Sequence, residues 1–176
     1  VGTAVVPGGM TRSVVKDNHS EMTLQDFASA IPDGQFNFIL FEGCFMAGLE
    51  VAYELKDKTQ YVVGSSAEML SPGFTPVYKQ MFPLLYKKEA DLSAVAAAYY
   101  DYYNNLEGDY RSATISVIRT NGLEMLKSQL RAAESQVERW EWIDRSGLQS
   151  VDRLPDGQHL FYDASAYVER IGSAEE

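Results

Sequence analysis

The sequence predicts an α/β domain with a mainly parallel sheet flanked by helices on both faces. Short runs of β-branched and aromatic residues recur along the chain, stretches with helical apolar spacing lie between them, and Gly/Pro signals separate the two. Residues 1–22 hold Gly2, Pro7, Gly8 and Gly9, then a polar stretch through His19, and read as a loop-rich start. Thr23 followed by Asp26 fits a helix start, with Leu24, Phe27, Ala28 and Ile31 on one face, and Pro32-Asp33-Gly34 is a turn. Residues 36–41 (FNFILF) read as a buried strand, followed by a helix from about Met46 to Leu55. A second strand is 61–66 (YVVGSS). Thr75-Pro76 puts an N-cap before Pro at the first helical position and opens a helix to about Tyr86. Asp91 opens the next, whose Leu92, Val95, Ala96, Tyr99, Tyr100 and Tyr103 form one apolar face. The third strand is 113–118 (ATISVI), alternating as a half-exposed strand does. Asn121 can cap a helix carrying Leu123, Leu126, Leu130, Ala133, Val137 and Trp140. A turn at Pro155-Asp156-Gly157 precedes a short helix over 163–171.

A chain of 176 residues suffices for one domain with a real core, and residues 1–176 read as a single one, without repeats or linkers. Hydrophobic residues at 45% and charged residues at 23% exclude a disordered, collagen-like or coiled-coil chain. Lys+Arg number 15 and Asp+Glu 25, a net charge of −10 with no basic cluster, which argues against nucleic acid and against an anionic membrane surface. No apolar run approaches the ~20 residues of a membrane span. The chain opens on Val1-Gly2-Thr3 without an initiator Met or a signal peptide and reads as part of a longer protein. Its single cysteine, Cys44, excludes an internal disulfide. One Cys with two His, His19 and His159, excludes a structural zinc site of four N/S ligands.

In parallel α/β sheets, sites lie beyond the carboxyl ends of the strands. Glu42-Gly43-Cys44 and Ser65-Ser66-Ala67-Glu68 both fall there. Cys44 sits after a strand and ahead of a helix, whose N-terminal partial positive charge favours a thiolate, and Gly43 lets the backbone approach a substrate. These are the conditions of a nucleophilic thiol, although a lone Cys commonly just packs in a core. A thiol nucleophile wants a base. His19 lies 25 residues upstream and His159 lies 115 downstream, neither at a strand end, and each reads as a surface histidine. The tyrosines from Tyr99 to Tyr103 read as core, Trp140 and Trp142 as a packed helix end or an exposed patch, and Asp17, Glu21 and Asp26 as a solvated acidic face without EF-hand spacing.

Residues 38–55 (FILFEGCFMAGLEVAYEL) resemble the nucleophile segment of the clostripain family of cysteine peptidases, which shows an apolar strand, Phe-Asp-Ala-Cys, Leu-Met and a Glu-Val-Ala-Tyr-Glu-Leu helix. Residues 61–68 (YVVGSSAE), with Pro72-Gly73-Phe74, resemble that family's next strand and substrate-binding loop, and residues 9–13 (GMTRS) its linker. The likeness covers roughly residues 1 to 87.

The resemblance implies a caspase-like sandwich, a Cys–His dyad, cleavage after Arg or Lys, and maturation by self-cleavage. Carried onto this chain, Cys44 is the nucleophile and its N–H half of an oxyanion hole, with Gly2 supplying the other half. Glu42, where the family has Asp, is the acid that meets the substrate's basic side chain, with Gly43, Ser65 and Ser66 lining the substrate. Arg12-Ser13 is the self-cleavage point. Possible calcium dependence, a secreted, periplasmic or cell-surface location, peptide or protein substrates with basic residues, and an N-terminal fragment of the same precursor as partner are implied likewise. Val1 stands where the family's His is expected, ahead of Gly2, Thr3 and Ala4, which fit. Three explanations stay open: a homologue that binds without cutting, a catalytic His on a piece before Val1, or a mis-assigned terminal residue. Apart from the family, an α/β domain with a redox-sensing thiol at Cys44 is a further reading.

Overall fold

The computed structural model describes residues 13–17, 20–135, 147–152, 159 and 161–173. They divide into two compact units, residues 1–120 and residues 121–176.

The first unit contains a hairpin where the sequence reads as loop. β1 (Ser13–Asp17) pairs antiparallel with β2 (Ser20–Thr23). A two-stranded ribbon is held by backbone bonds and needs no buried face, so it leaves no apolar alternation to read. α1 (Leu24–Ala30) starts as expected: Thr23 Oγ1 accepts from Asp26 N at 3.1 Å, and Leu24 and Ala28 are buried.

The sheet consists of β3 (Phe36–Leu40), β4 (Thr59–Gly64) and β5 (Ser116–Arg119) in the order β3-β4-β5. β3 and β4 run parallel and α2 (Leu49–Glu54) lies between them in the chain, as one crossover helix requires. Val62 and Val63 are both 0% exposed. Successive strand side chains point to opposite faces, so both faces of β4 are covered. β5, on the other side of β4, is antiparallel to it, with Ser116 opposite Gly64. Two helices separate β4 from β5 rather than one, α3 (Tyr78–Leu85), entered through a 3₁₀ turn at Thr75–Val77, and α4 (Leu92–Asn104). This helical hairpin brings the chain back to the carboxyl end of β4, and the next strand must run the other way.

The segment boundaries follow competing hydrogen bonds. The helix expected from Met46 begins only at Leu49, because Phe45 N donates to Ala67 O and Ala47 N to Ser65 O, each at 3.0 Å. α4 is capped by Asp91, whose Oδ1 accepts from Ala94 N at 3.1 Å, and Lys87 Nζ lies 3.0 Å from its other oxygen. Those two bonds hold the Asp91 carboxyl below its ordinary pKa, the Lys87 bond most.

Between α3 and α4 the fully buried residues are Phe74, Val77, Met81, Val95, Tyr99 and Tyr103, with Leu40 and Ile115 packed against them. The Tyr99 ring centroid lies 4.7 Å from that of Phe74 and 4.9 Å from that of Tyr103, the tilted spacing that aromatic pairs prefer. Tyr99 and Tyr103 are therefore core, as the spacing suggests, whereas Tyr100 and Tyr102, expected with them, are exposed on the other side of the helix.

The second unit holds α5 (Leu123–Glu134) and α6 (Ala164–Ser173). The Asn121 side chain does not cap α5; the cap residue is Gly122. Tyr167 donates to Glu134 Oε1 at 3.0 Å across the two helices, and Asp163 Oδ1 accepts from Ala166 N at 2.9 Å. The expected helical positions Val137 and Trp140, Trp142 and the turn at residues 155–157 lie outside the described residues.

The Tyr99 hydroxyl is buried and finds no hydrogen-bond partner among the described residues. A buried unpaired hydroxyl costs about 1–3 kcal/mol. Tyr99→Phe is therefore expected to melt at or above the wild-type temperature in a thermal scan. A lower melting temperature would show that the hydroxyl is bonded.

Candidate active site

The two stretches expected beyond the strand ends lie side by side. Phe41 N donates to Val63 O at 2.8 Å, and the Phe45 and Ala47 N–H groups bond Ala67 and Ser65. Gly43, Cys44 and the turn after them thus run against residues 65–67. Phe45 has φ +60°, a strained left-handed conformation for a residue with a Cβ.

Cys44 is half-buried. Its Sγ accepts from Met69 N at 3.3 Å, with Met69 O 3.9 Å away. An N–H aimed at sulfur is a contact that a thiolate can use. This replaces the helix N-terminus as the electrostatic partner, since α2 begins five residues later and is only six residues long. The Cys44 N–H bonds to no described residue.

Glu42 is exposed, yet both of its carboxylate oxygens are held. Oε1 accepts from Phe74 N at 2.6 Å and Oε2 from the Tyr78 hydroxyl at 2.8 Å. The bond to Glu42 is the main reason the Tyr78 phenol is pushed above its ordinary pKa. Gly73, at φ +63°, lies under the carboxylate, and a Cβ there would collide with Glu42 Oε1. On its other side, the Gly73 carbonyl accepts from Tyr103 at 2.7 Å. The sequence singled out the loop at 72–74 but not Tyr78, Tyr103 or Met69 N. Thr75 is not the expected N-cap: it opens the 3₁₀ turn, whose cap residue is Phe74, and that turn leads into α3 at Tyr78.

The Ser65 side chain is 0% exposed and bonded to Thr114 Oγ1 at 2.7 Å and to Ala67 N at 3.2 Å. Its hydroxyl holds the loop together from inside. Ser66 is half-buried. Val1, Gly2, Arg12 and His19 lie outside the described residues, and Ser13 begins β1, paired with Thr23. The first unit has no histidine among its described residues. In the second unit, His159 Nδ1 lies 2.9 Å from the buried Asp152 carboxylate. Among the described residues, no three His, Cys, Asp or Glu side chains converge as metal ligands. No described helix is long and apolar enough to cross a membrane.

A sheet flanked by helices, with a thiol on the loop leaving one strand and a clamped acid two residues before it, defines an α/β protein built around a single cysteine. The clostripain family model matches residues 10–154, and the chain belongs to that family. A cysteine protease of B. fragilis is 27% identical at a TM-score of 0.72, covering 90% of this chain and 68% of its own. An inactive zymogen C11 protease from Parabacteroides distasonis is 32% identical at 0.69, covering 86% of this chain and 44% of its own. A clostripain from Bacteroides thetaiotaomicron, solved with the peptide inhibitor BTN-VLTK-AOMK, is 25% identical at 0.70, covering 87% of this chain and 66% of its own. No curated protein sequence matches the chain.

Gly73→Ala is expected to lower stability by about 1–3 kcal/mol, because it adds strain at a positive φ and dislodges Glu42. Denaturant melts check this, and an unchanged midpoint would contradict it.

Proposed function

We propose that the protein is a cysteine endopeptidase that cleaves after Arg or Lys. The observation that carries this reading is the loop of Glu42 and Cys44: a half-buried thiol that meets a backbone N–H, beside an exposed carboxylate held at both oxygens. An exposed acid fixed in place is suited to a cationic side chain, which it can meet without reorganising.

In this reading, the base takes the Cys44 thiol proton and the sulfur attacks the scissile carbonyl carbon. The new S–C bond pushes the carbonyl π pair onto oxygen, where the Cys44 N–H and the Gly2 N–H receive it. Collapse breaks the C–N bond as the base delivers a proton to the leaving amine, leaving a thioester that water hydrolyses to release acid and thiol. The base is a histidine on an N-terminal piece of the same precursor. The relatives support the reading. One is solved with an inhibitor whose peptide reads VLTK, one is an inactive zymogen, and a further one is described as a secreted C11 protease. Maturation is a cut between Arg12 and Ser13, and the location is secreted, periplasmic or cell-surface. The second reading, a non-catalytic peptide-binding homologue, is favoured by Val1 in the expected His position.

Full-length protein is expected to lose hydrolysis of an Arg- or Lys-containing peptide by at least about a thousandfold on Cys44→Ala. Glu42→Gln should remove the preference for basic residues over neutral ones. Hydrolysis that survives Cys44→Ala would reject the peptidase assignment. Affinity that needs Glu42 without turnover would establish the binding homologue. N-terminal sequencing of the matured larger fragment should begin at Ser13, and any other start refutes that cut.

A further inference from the structure

We infer that Tyr78 is a positioning residue that sets the plane of the Glu42 carboxylate and thereby favours arginine over lysine in the substrate. This rests on the reading of Glu42 as the acid that receives the substrate's cation. An exposed glutamate ordinarily samples several rotamers. Here three features converge on it: the Phe74 N–H on Oε1, the Tyr78 hydroxyl on Oε2, and a glycine at 73 whose missing Cβ leaves room for the carboxylate. One donor alone would leave the group free to rotate about its bond to that donor. Two donors, one on each oxygen, define a plane.

An ionised carboxylate has about four lone-pair sites. Two are used, one on each oxygen, and two remain. A guanidinium fork needs two acceptors held in one plane, whereas an ammonium is a point charge that needs one. Fixing the plane therefore matters to arginine and little to lysine. Tyr78 is itself held. Its ring stacks on Phe82 at 5.2 Å, and α3 is anchored by buried Val77 and Met81. The hydroxyl arrives from a fixed direction, on a residue 36 positions from Glu42 in sequence.

The test is steady-state kinetics on the full-length enzyme with three matched peptides carrying Arg, Lys or a neutral residue at the cleavage position. The variants are Tyr78→Phe, which keeps the ring and its stacking, and Glu42→Gln. For Tyr78→Phe, KM for the Arg peptide is expected to rise roughly three- to tenfold, the loss of one hydrogen bond, with kcat within about twofold. The Lys peptide should change less and the neutral peptide not at all. An unchanged KM for Arg, equal losses on Arg and Lys, or a fall in kcat on all three peptides would overturn the inference. If Glu42→Gln keeps the basic preference, the reading of Glu42 itself fails, whatever Tyr78→Phe does. Should Tyr78→Phe not fold, alkaline absorbance titration of Glu42→Gln decides: a phenol whose ionisation falls back towards the ordinary range reports the Tyr78–Glu42 bond, and an unmoved titration refutes it.

Discussion

The pairing of β3 with β4 does not end where the strands end. Phe41 still bonds Val63, and Phe45 and Ala47 bond Ala67 and Ser65 after the chain has left strand geometry. These bonds hold two loops against each other that would otherwise part at the sheet edge. The cost is local: Phe45 sits at φ +60°, and the helix that follows is short. The gain is that Cys44 reaches the Met69 backbone and Glu42 reaches Phe74. The buried Ser65 hydroxyl, tied to Thr114 and Ala67, reinforces the same junction. A backbone bond of this kind contributes only about 0.5–1.5 kcal/mol net, but leaving its partners buried and unpaired costs more, so the arrangement is strongly specified.

A second support comes from the α3–α4 hairpin. Phe74 is the residue that donates to Glu42, and its ring is buried against Tyr99. Tyr103 packs on Tyr99 and bonds the Gly73 carbonyl. The hydrophobic core of this layer and the polar cradle of the acid are thus made by adjacent residues. Burial also raises the Tyr99 phenol well above its ordinary pKa, with Tyr103, Cys44 and Glu42 adding to it.

Much of this was legible in the residues. The apolar run at 36–41, the Thr23 and Asp91 caps, Thr75-Pro76 and the Tyr99/Tyr103 spacing each announce a local structure, because caps and periodicity act within a few residues. The hairpin of β1 and β2 is held by cross-strand backbone bonds, which leave no mark in residue spacing. The late start of α2 and the antiparallel direction of β5 depend on partners elsewhere in the chain, which residue spacing does not carry. The strand-end place of Ser65 is legible in the sequence, but the inward turn of its hydroxyl depends on Thr114, 49 residues away.

What the sequence determined by itself is the chemistry: one thiol, an acid two residues before it, a glycine between them, and strand-end placement for both stretches. These follow from residue identity and short-range periodicity. What only the tertiary structure decided is the environment of that chemistry. The donor to the sulfur lies 25 residues from Cys44, and the two donors to Glu42 lie 32 and 36 residues away. Local propensity carries no information about such separations. They are set by how the crossover and the helical hairpin fold back on the sheet, and by the requirement that buried donors find acceptors when they do.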